Sequence, residues 1–257
     1  MSTGKSLQYY RDLITVLTQK ELKIRYKRSF LGYLWSIANP LALAMVFFIA
    51  FKIFMKIQIE NYTLFLISGL FPWQWFANSV NSSAMVFVGN ASLIKKVNFR
   101  TESLVVATVL NDMLHFMLSI PVIVIFIFFY GLKPNISWLA GIPLLLGIQI
   151  IITFGFSIAV ATVNLFFRDI ERIVSILTML MFYVTPIIYS EDMVPPAYKK
   201  LILLNPLSIL MIGWRDLFMK GVLDYGNIAL SFAYAVIVLA IGYLIYLRLR
   251  WRFAEVL

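Results

Sequence analysis

Residues 25–40 read Arg-Tyr-Lys-Arg-Ser-Phe-Leu-Gly-Tyr-Leu-Trp-Ser-Ile-Ala-Asn-Pro, a basic segment running straight into the first long apolar stretch. Arg25, Lys27 and Arg28 suit a membrane surface but not hydrocarbon, whereas the residues from Leu31 onward suit hydrocarbon. An interfacial element therefore turns into a span at this junction. Everything before it is expected to face the cytoplasm.

The composition agrees. The 257 residues are 61% hydrophobic and 16% aromatic, with a mean hydropathy of +0.88, far above a soluble globular domain. A span needs about 20 apolar residues, so the chain has room for roughly six helices and no separate catalytic domain. Any energy-converting domain is expected on another chain. The absence of cysteine excludes disulfides, thiolate zinc and iron–sulfur clusters, and a single histidine leaves little for a metal site, so no metal ligands are assigned. The first apolar run is long, carries Pro40 and lacks a small-residue cleavage site, so the first span is expected to remain in the mature protein.

Leu7, Tyr10, Leu13, Ile14, Leu17, Leu22 and Ile24 recur near helical spacing among Arg11, Lys20, Lys23 and Arg25. Residues 1–30 thus read as a cytoplasmic amphipathic interface helix. Residues 31–257 read as one transmembrane domain with spans near 31–54, 62–88, 103–130, 138–167, 171–189 and 227–247. The expected fold is an all-α polytopic membrane protein with six transmembrane helices. Between spans five and six, Ser190–Gly226 holds Pro195, Pro196 and Pro206 and an apolar piece too short to cross, so re-entrant or interfacial helices are expected there. Of the 22 Lys and Arg residues, 15 fall on the side of the termini, which places both termini in the cytoplasm.

Gly4-Lys5-Ser6 has the ending of a phosphate-binding loop, but neither its first glycine nor its preceding strand. No dinucleotide-binding, zinc-protease or serine-hydrolase motif is present, so the chain does not read as an enzyme. Asp112 and His115 lie three apart on one helix face and offer a proton relay; the plainer reading is hydrogen bonding to neighbouring helices.

Residues 25–35 followed by Pro40, the Leu93–Arg100 loop (Leu-Ile-Lys-Lys-Val-Asn-Phe-Arg) and Phe167-Arg168-Asp169-Ile170 together resemble the type-2 ATP-binding-cassette permeases that export polysaccharide: O-antigen, capsule and teichoic acid. The resemblance covers essentially the whole chain. It implies a homodimer in the bacterial inner membrane, bound to two copies of a separate ATPase that holds ATP and Mg, with no cofactor in this chain and no nucleic-acid partner. The cargo it implies is a lipid-linked glycan. It also implies that Asn90–Arg100 is a coupling helix and that the N-terminal helix supplies a second cytoplasmic contact.

Within that frame, Leu93, Ile94, Val97 and Phe99 are expected to fill a partner's cleft, with Lys95, Lys96 and Arg100 against its acidic rim. Arg168 and Asp169 are expected to transmit partner movement, or else simply to stabilise a turn. Glycan hydroxyls need solvation while sugar faces are weakly apolar, so aromatic rings suit its passage. Tyr33, Trp35, Trp73, Trp75 and Phe76 are the candidate lining, beside Asn78, Asn81 and Ser82; belt or packing roles compete. Arg25, Lys27 and Arg28 are candidates for the carrier lipid's pyrophosphate, with anionic-lipid anchoring as the alternative. Trp214, Leu217 and Phe218 are the candidate exit gate, and interfacial anchoring competes. The alternatives to glycan export are a drug, peptide or lipid-like cargo, or a proton-coupled carrier using Asp112 and His115.

Overall fold

The computed structural model describes residues 3–26, 32–97 and 99–256. They are helical throughout, with no strand among them, as the apolar runs predict. Helix α1 (Thr3–Tyr26) is followed by a 3-10 turn (Gly32–Leu34), α2 (Trp35–Phe47), and a π-helical extension (Phe48–Phe54). Next come α3 (Tyr62–Ala84), the short α4 (Val86–Gly89) and α5 (Ala91–Lys96), and the long α6 (Glu102–Phe129) and α7 (Trp138–Phe166). α8 (Ile170–Val184), α9 (Lys199–Leu204), α10 (Pro206–Lys220), α11 (Tyr225–Leu249) and α12 (Phe253–Val256) complete the chain.

Among the described residues four helices are long and apolar enough to cross a membrane: Ile37–Phe54, Glu102–Phe129, Trp138–Phe166 and Tyr225–Arg252. The pair Pro196–Leu204 and Pro206–Lys220, bent by 97°, makes a fifth if counted as one broken span. Length and apolarity alone thus stop short of the six expected spans, for two different reasons. α8 has 15 residues, about 22 Å at 1.5 Å per residue, against a hydrocarbon core of roughly 30 Å. α3 is long enough but carries Ser68, Gln74, Asn78, Ser79, Asn81, Ser82 and Ser83.

The surroundings of α3 explain that polarity. Seventeen of its 23 residues are buried, because α2, α6, α7, α8 and α10 all pack on it. A helix wrapped by protein need not be apolar all round; its polar groups need partners. They have them. Trp75 Nε1 donates to the Val109 carbonyl of α6 (3.1 Å), and Gln149 Nε2 of α7 donates to the Pro72 carbonyl (2.7 Å). Gln149 Oε1 in turn accepts from Trp214 Nε1 of α10 (2.5 Å). At the other end, Asn164 Nδ2 donates to the Ala84 carbonyl (2.7 Å) while its Oδ1 accepts from Glu171 N (2.9 Å), tying α3, α7 and α8 together.

A second apolar cluster lies at the end of the bundle that holds α1. Leu17 of α1, Phe87 of α4, Leu104 and Val105 of α6, Ile158 and Leu165 of α7, Tyr246 of α11 and Phe253 of α12 share it. The first helix is thus docked on the bundle through Leu17, and Lys20 Nζ reaches Asn90 Oδ1 (2.8 Å) beside α5.

α7 and α11 form the closest helix pair. Their contact is made by glycine: a Cβ on Gly242 would overlap the Gly155 carbonyl oxygen, and one on Gly155 would come 2.7 Å from Leu239 N. Lipid offers helices no hydrophobic reward for association, so close backbone approach and dispersion must supply it. Gly242→Val is expected to separate the pair at a cost above the 1–3 kcal/mol (about) of ordinary overpacking, since the obstacle is backbone. The readout is the loss of a monodisperse detergent-solubilised species, against Gly147→Ala, whose Cβ meets nothing within 4 Å, as control.

Candidate transport pathway and docking face

One face of α3 escapes burial. Gln74 is half-buried, and Asn78 and Ser82 are exposed, at positions i, i+4 and i+8 of a single helical stripe. The neighbours on either side are α2 and α8. Asn78 and Gln74 line a 30 Å³ cavity with Pro40 of α2 and Asp112 and His115 of α6. Asn81 Nδ2, on the other flank, lies 3.2 Å from Thr178 Oγ1 of α8. Asp112 is itself buried, with Ser79 Oγ donating to its Oδ2 (3.1 Å). Polar side chains are costly in hydrocarbon, and this stripe is distinct in kind from the apolar exposed faces of α6 and α11.

The aromatic candidates sit elsewhere. Trp73, Trp75 and Phe76 are 4%, 2% and 1% exposed, packed inside the main core. Trp75 stacks on Phe116 of α6 (5.6 Å between centroids), Phe116 meets Trp214 edge-on (5.0 Å), and Trp214 stacks on Phe218 (5.3 Å). The stack ends on Trp138 of α7, which meets Phe218 at 5.1 Å and donates through Nε1 to the Leu217 carbonyl (2.9 Å). Two groups assigned to opposite jobs, channel lining (Trp75) and exit gate (Trp214, Leu217, Phe218), are therefore one continuous aromatic column with ring faces and N–H groups already engaged. In this arrangement they face helices and not a passage. Trp35 is half-exposed and presents its ring outward. For Tyr33 only the backbone, in the 3-10 turn, is described; the same holds for Arg25 in the last turn of α1, and Lys27 and Arg28 lie outside the described residues.

Arg215 was legible in the sequence only as one more basic residue outside the membrane. It lies 94% out of solvent on α10, its Nη2 donating to the carbonyls of Pro186 (2.8 Å) and Ile187 (3.0 Å), with its guanidinium 3.7 Å above the Phe65 ring. Tyr62 OH donates to the next carbonyl, Ile188 (3.0 Å). The chain reversal after α8 has no helical partners for these carbonyls, and two side chains from α10 and α3 supply them. A lone arginine inside the apolar run 207–218 was the signal that could have found it.

At the opposite end, α5 divides its residues by face. Leu93, Ile94 and Phe99 pack on the second core of their own chain, while Lys95, Lys96 and Val97 are exposed. Arg100 lies over the Tyr10 ring (4.6 Å), which joins the loop to α1. Phe99, expected in a partner's cleft, is thus half-buried against its own protein, because that core offers the apolar surface at closer range. Arg168 and Asp169 are exposed at the turn before α8 and form no ion pair among the described residues. No group of acidic, histidine or cysteine side chains among the described residues is arranged to hold a metal.

The ABC-2 type transporter family matches the chain over residues 12–219, from α1 through α10. The chain belongs to that family. This ABC-2 chain is 50% identical over 252 residues to an O-antigen export system permease protein (RfbA) of Klebsiella pneumoniae, covering 98% of itself and 97% of the relative. It is 34% identical to the Myxococcus xanthus protein of the same name, with 83% of each covered. The likeness extends at 22% identity, over 91% of this chain and 92% of the relative, to the polysialic acid transport protein KpsM of Escherichia coli.

Two outcomes follow for the ABC-2 chain. Because it has no cysteine, Asn78→Cys and Ser82→Cys in membranes are expected to react with a charged, water-soluble thiol reagent, while Ile125→Cys on the exposed apolar face of α6 stays unmodified. Equal labelling at all three would show that the stripe is not specially wet. Arg215→Met should destabilise the fold by about 3 kcal/mol through two stranded carbonyls, seen as a lower melting temperature in detergent.

Proposed function

We propose that this chain is the membrane permease of an exporter that carries a lipid-linked polysaccharide of the O-antigen type across the bacterial inner membrane, driven by ATP that a separate ATPase hydrolyses with Mg. The observation that carries the reading is the uncovered polar stripe of Gln74, Asn78 and Ser82 on a helix otherwise enclosed by protein. A drug or other lipid-like cargo calls for an apolar cleft, whereas a glycan needs amides and hydroxyls at mid-membrane. The names of the full-length relatives from Klebsiella pneumoniae and Myxococcus xanthus support the same cargo.

The finer architecture belongs to the proposal. α2 with its π-helical extension, α3, α6, α7, α8 and α11 are six spans; α3 crosses because protein shields its polar groups, and α8 because its chain reversal is clamped by Arg215 below the outer surface. α9 and α10 then enter and leave on the outer side. Both termini are cytoplasmic, in line with 15 of the 22 basic residues lying on that side. The stripe opens outward from one protomer between α2 and α8, so a second copy closes it and the pathway lies between the two. Trp35 at the start of α2 and Tyr183, 56% exposed on α8, are the aromatic rings free to meet the cargo.

Each protomer binds one ATPase through Lys95, Lys96 and Val97 of the α5 surface, with Arg168 and Asp169 beside it. Leu93, Ile94 and Phe99 act behind that surface, passing movement to the second core, while Arg100 links it to α1. ATP hydrolysis sits on the partner because the permease holds no phosphate-binding loop. Arg25, Lys27 and Arg28 at the junction of α1 and α2 receive the carrier's pyrophosphate.

Lys95→Glu with Lys96→Glu is the test. The double reversal should leave the permease at normal levels in the membrane, lose co-purification with the ATPase, and reduce export by at least about tenfold, the worth of one or two rim charges. Export and co-purification at the level of the unaltered protein would remove the docking assignment.

A further inference from the structure

A cavity of about 550 Å³ belongs neither to the stripe nor to the outward face of α5. It lies between α1, the α5–α6 loop and the end of α11, and its walls include Arg100, Arg250, Glu102, Tyr9, Tyr10 and Trp251. That volume falls within the usual range for small-molecule sites. Its chemistry is specific: two guanidiniums, one carboxylate and aromatic rings.

The carboxylate is turned aside. Glu102 Oε2 accepts the Tyr246 phenol (2.6 Å), and the Thr101 hydroxyl, 2.9 Å away, donates to the phenol oxygen in turn. Tyr246 is 2% exposed, so this triad belongs to the wall of the cavity. Arg100 engages Tyr10 through its ring-like face, which leaves the in-plane N–H fork to receive a bidentate acceptor. Neither Arg100 nor Arg250 has an ion pair among the described residues, although Arg250 also hydrogen-bonds the Tyr246 phenol. The balance of the lining charges is one positive.

We infer that this cavity binds the phosphate-ester headgroup of a lipid, and specifically the phosphodiester monoanion of an anionic glycerophospholipid drawn from the inner leaflet. A single net positive charge matches a monoanion better than it matches a diphosphate. Tyr9, Tyr10 and the half-exposed Trp251, stacked under Arg252 (4.7 Å), supply the amphipathic rings that sit at headgroup depth. The bound headgroup bridges α1, the loop that follows α5, and the end of α11, so it stiffens the cytoplasmic core on which the docking surface rests. The leaflet rests on the orientation proposed above; the site itself does not, since binding in detergent is independent of which side faces the cytoplasm.

The test uses the purified full chain in dodecyl maltoside, titrated calorimetrically with dioctanoyl phosphatidylglycerol, dioctanoyl phosphatidylcholine and farnesyl diphosphate. Saturable binding of the phosphatidylglycerol, weakened about tenfold or more in Arg100→Gln/Arg250→Gln and unchanged in Arg248→Gln, is the expected result, the loss being that of one charge-assisted fork. Elution of the variants at the position of the unaltered protein shows that they are folded. Farnesyl diphosphate binding more tightly through the same two arginines overturns the phospholipid assignment in favour of the carrier's diphosphate. Absence of saturable binding, or equal loss in Arg248→Gln, overturns the site.

Discussion

Everything in this protein turns on the enclosure of α3. In hydrocarbon a polar group without a partner costs several kcal/mol (about), so a helix with seven serine, asparagine and glutamine residues depends on neighbours that answer for its polar groups. Asp112 of α6 answers for Ser79 and Thr178 of α8 for Asn81, while Gln149, Val109 and Asn164 meet the Pro72 carbonyl, the Trp75 indole and the Ala84 carbonyl of the same helix. The aromatic column from Trp75 to Trp138 then fills the space that these hydrogen bonds hold open.

Enclosure on most sides gives the remaining side its meaning. Where α2 and α8 leave α3 uncovered, Asn78 and Ser82 are exposed, polar side chains that hydrocarbon solvates poorly. The same packing that stabilises the bundle therefore leaves one polar strip of α3 uncovered by its own protein. A second cluster ties the elements at the other end together: α1, α5, α6 and α11 meet within it, and the Tyr246–Glu102 hydrogen bond adds a polar link.

Much of the fold was legible beforehand. The basic junction at Arg25–Arg28, the apolar runs and the proline-broken stretch after Ser190 carry physical constraints that act locally: charge stays out of hydrocarbon, and a span has a minimum length. These yield an all-helical membrane protein with helix ends within a few residues of those observed, and the motifs around Leu93–Arg100 and Phe167–Ile170 pointed to the transporter family. Gln149 and Arg215 were also visible as a lone amide and a lone arginine in apolar runs, but their partners were not.

Which face of each helix meets protein, water or lipid was decided by the tertiary structure alone. In a soluble protein apolar residues mark the core, but here core and lipid are both apolar, so the period of Trp73, Trp75 and Phe76 could not tell a lining from an interior. For the same reason Phe99 and Trp214 carried no mark of the surfaces they pack against, and Gly155 and Gly242 gave no sign of each other across 87 residues of chain. Sequence by itself determined that this chain is a bundle of membrane helices with its basic residues gathered mainly at one end; only their packing decided that α3 is its centre and that Gln74, Asn78 and Ser82 form a polar strip its own protein leaves uncovered.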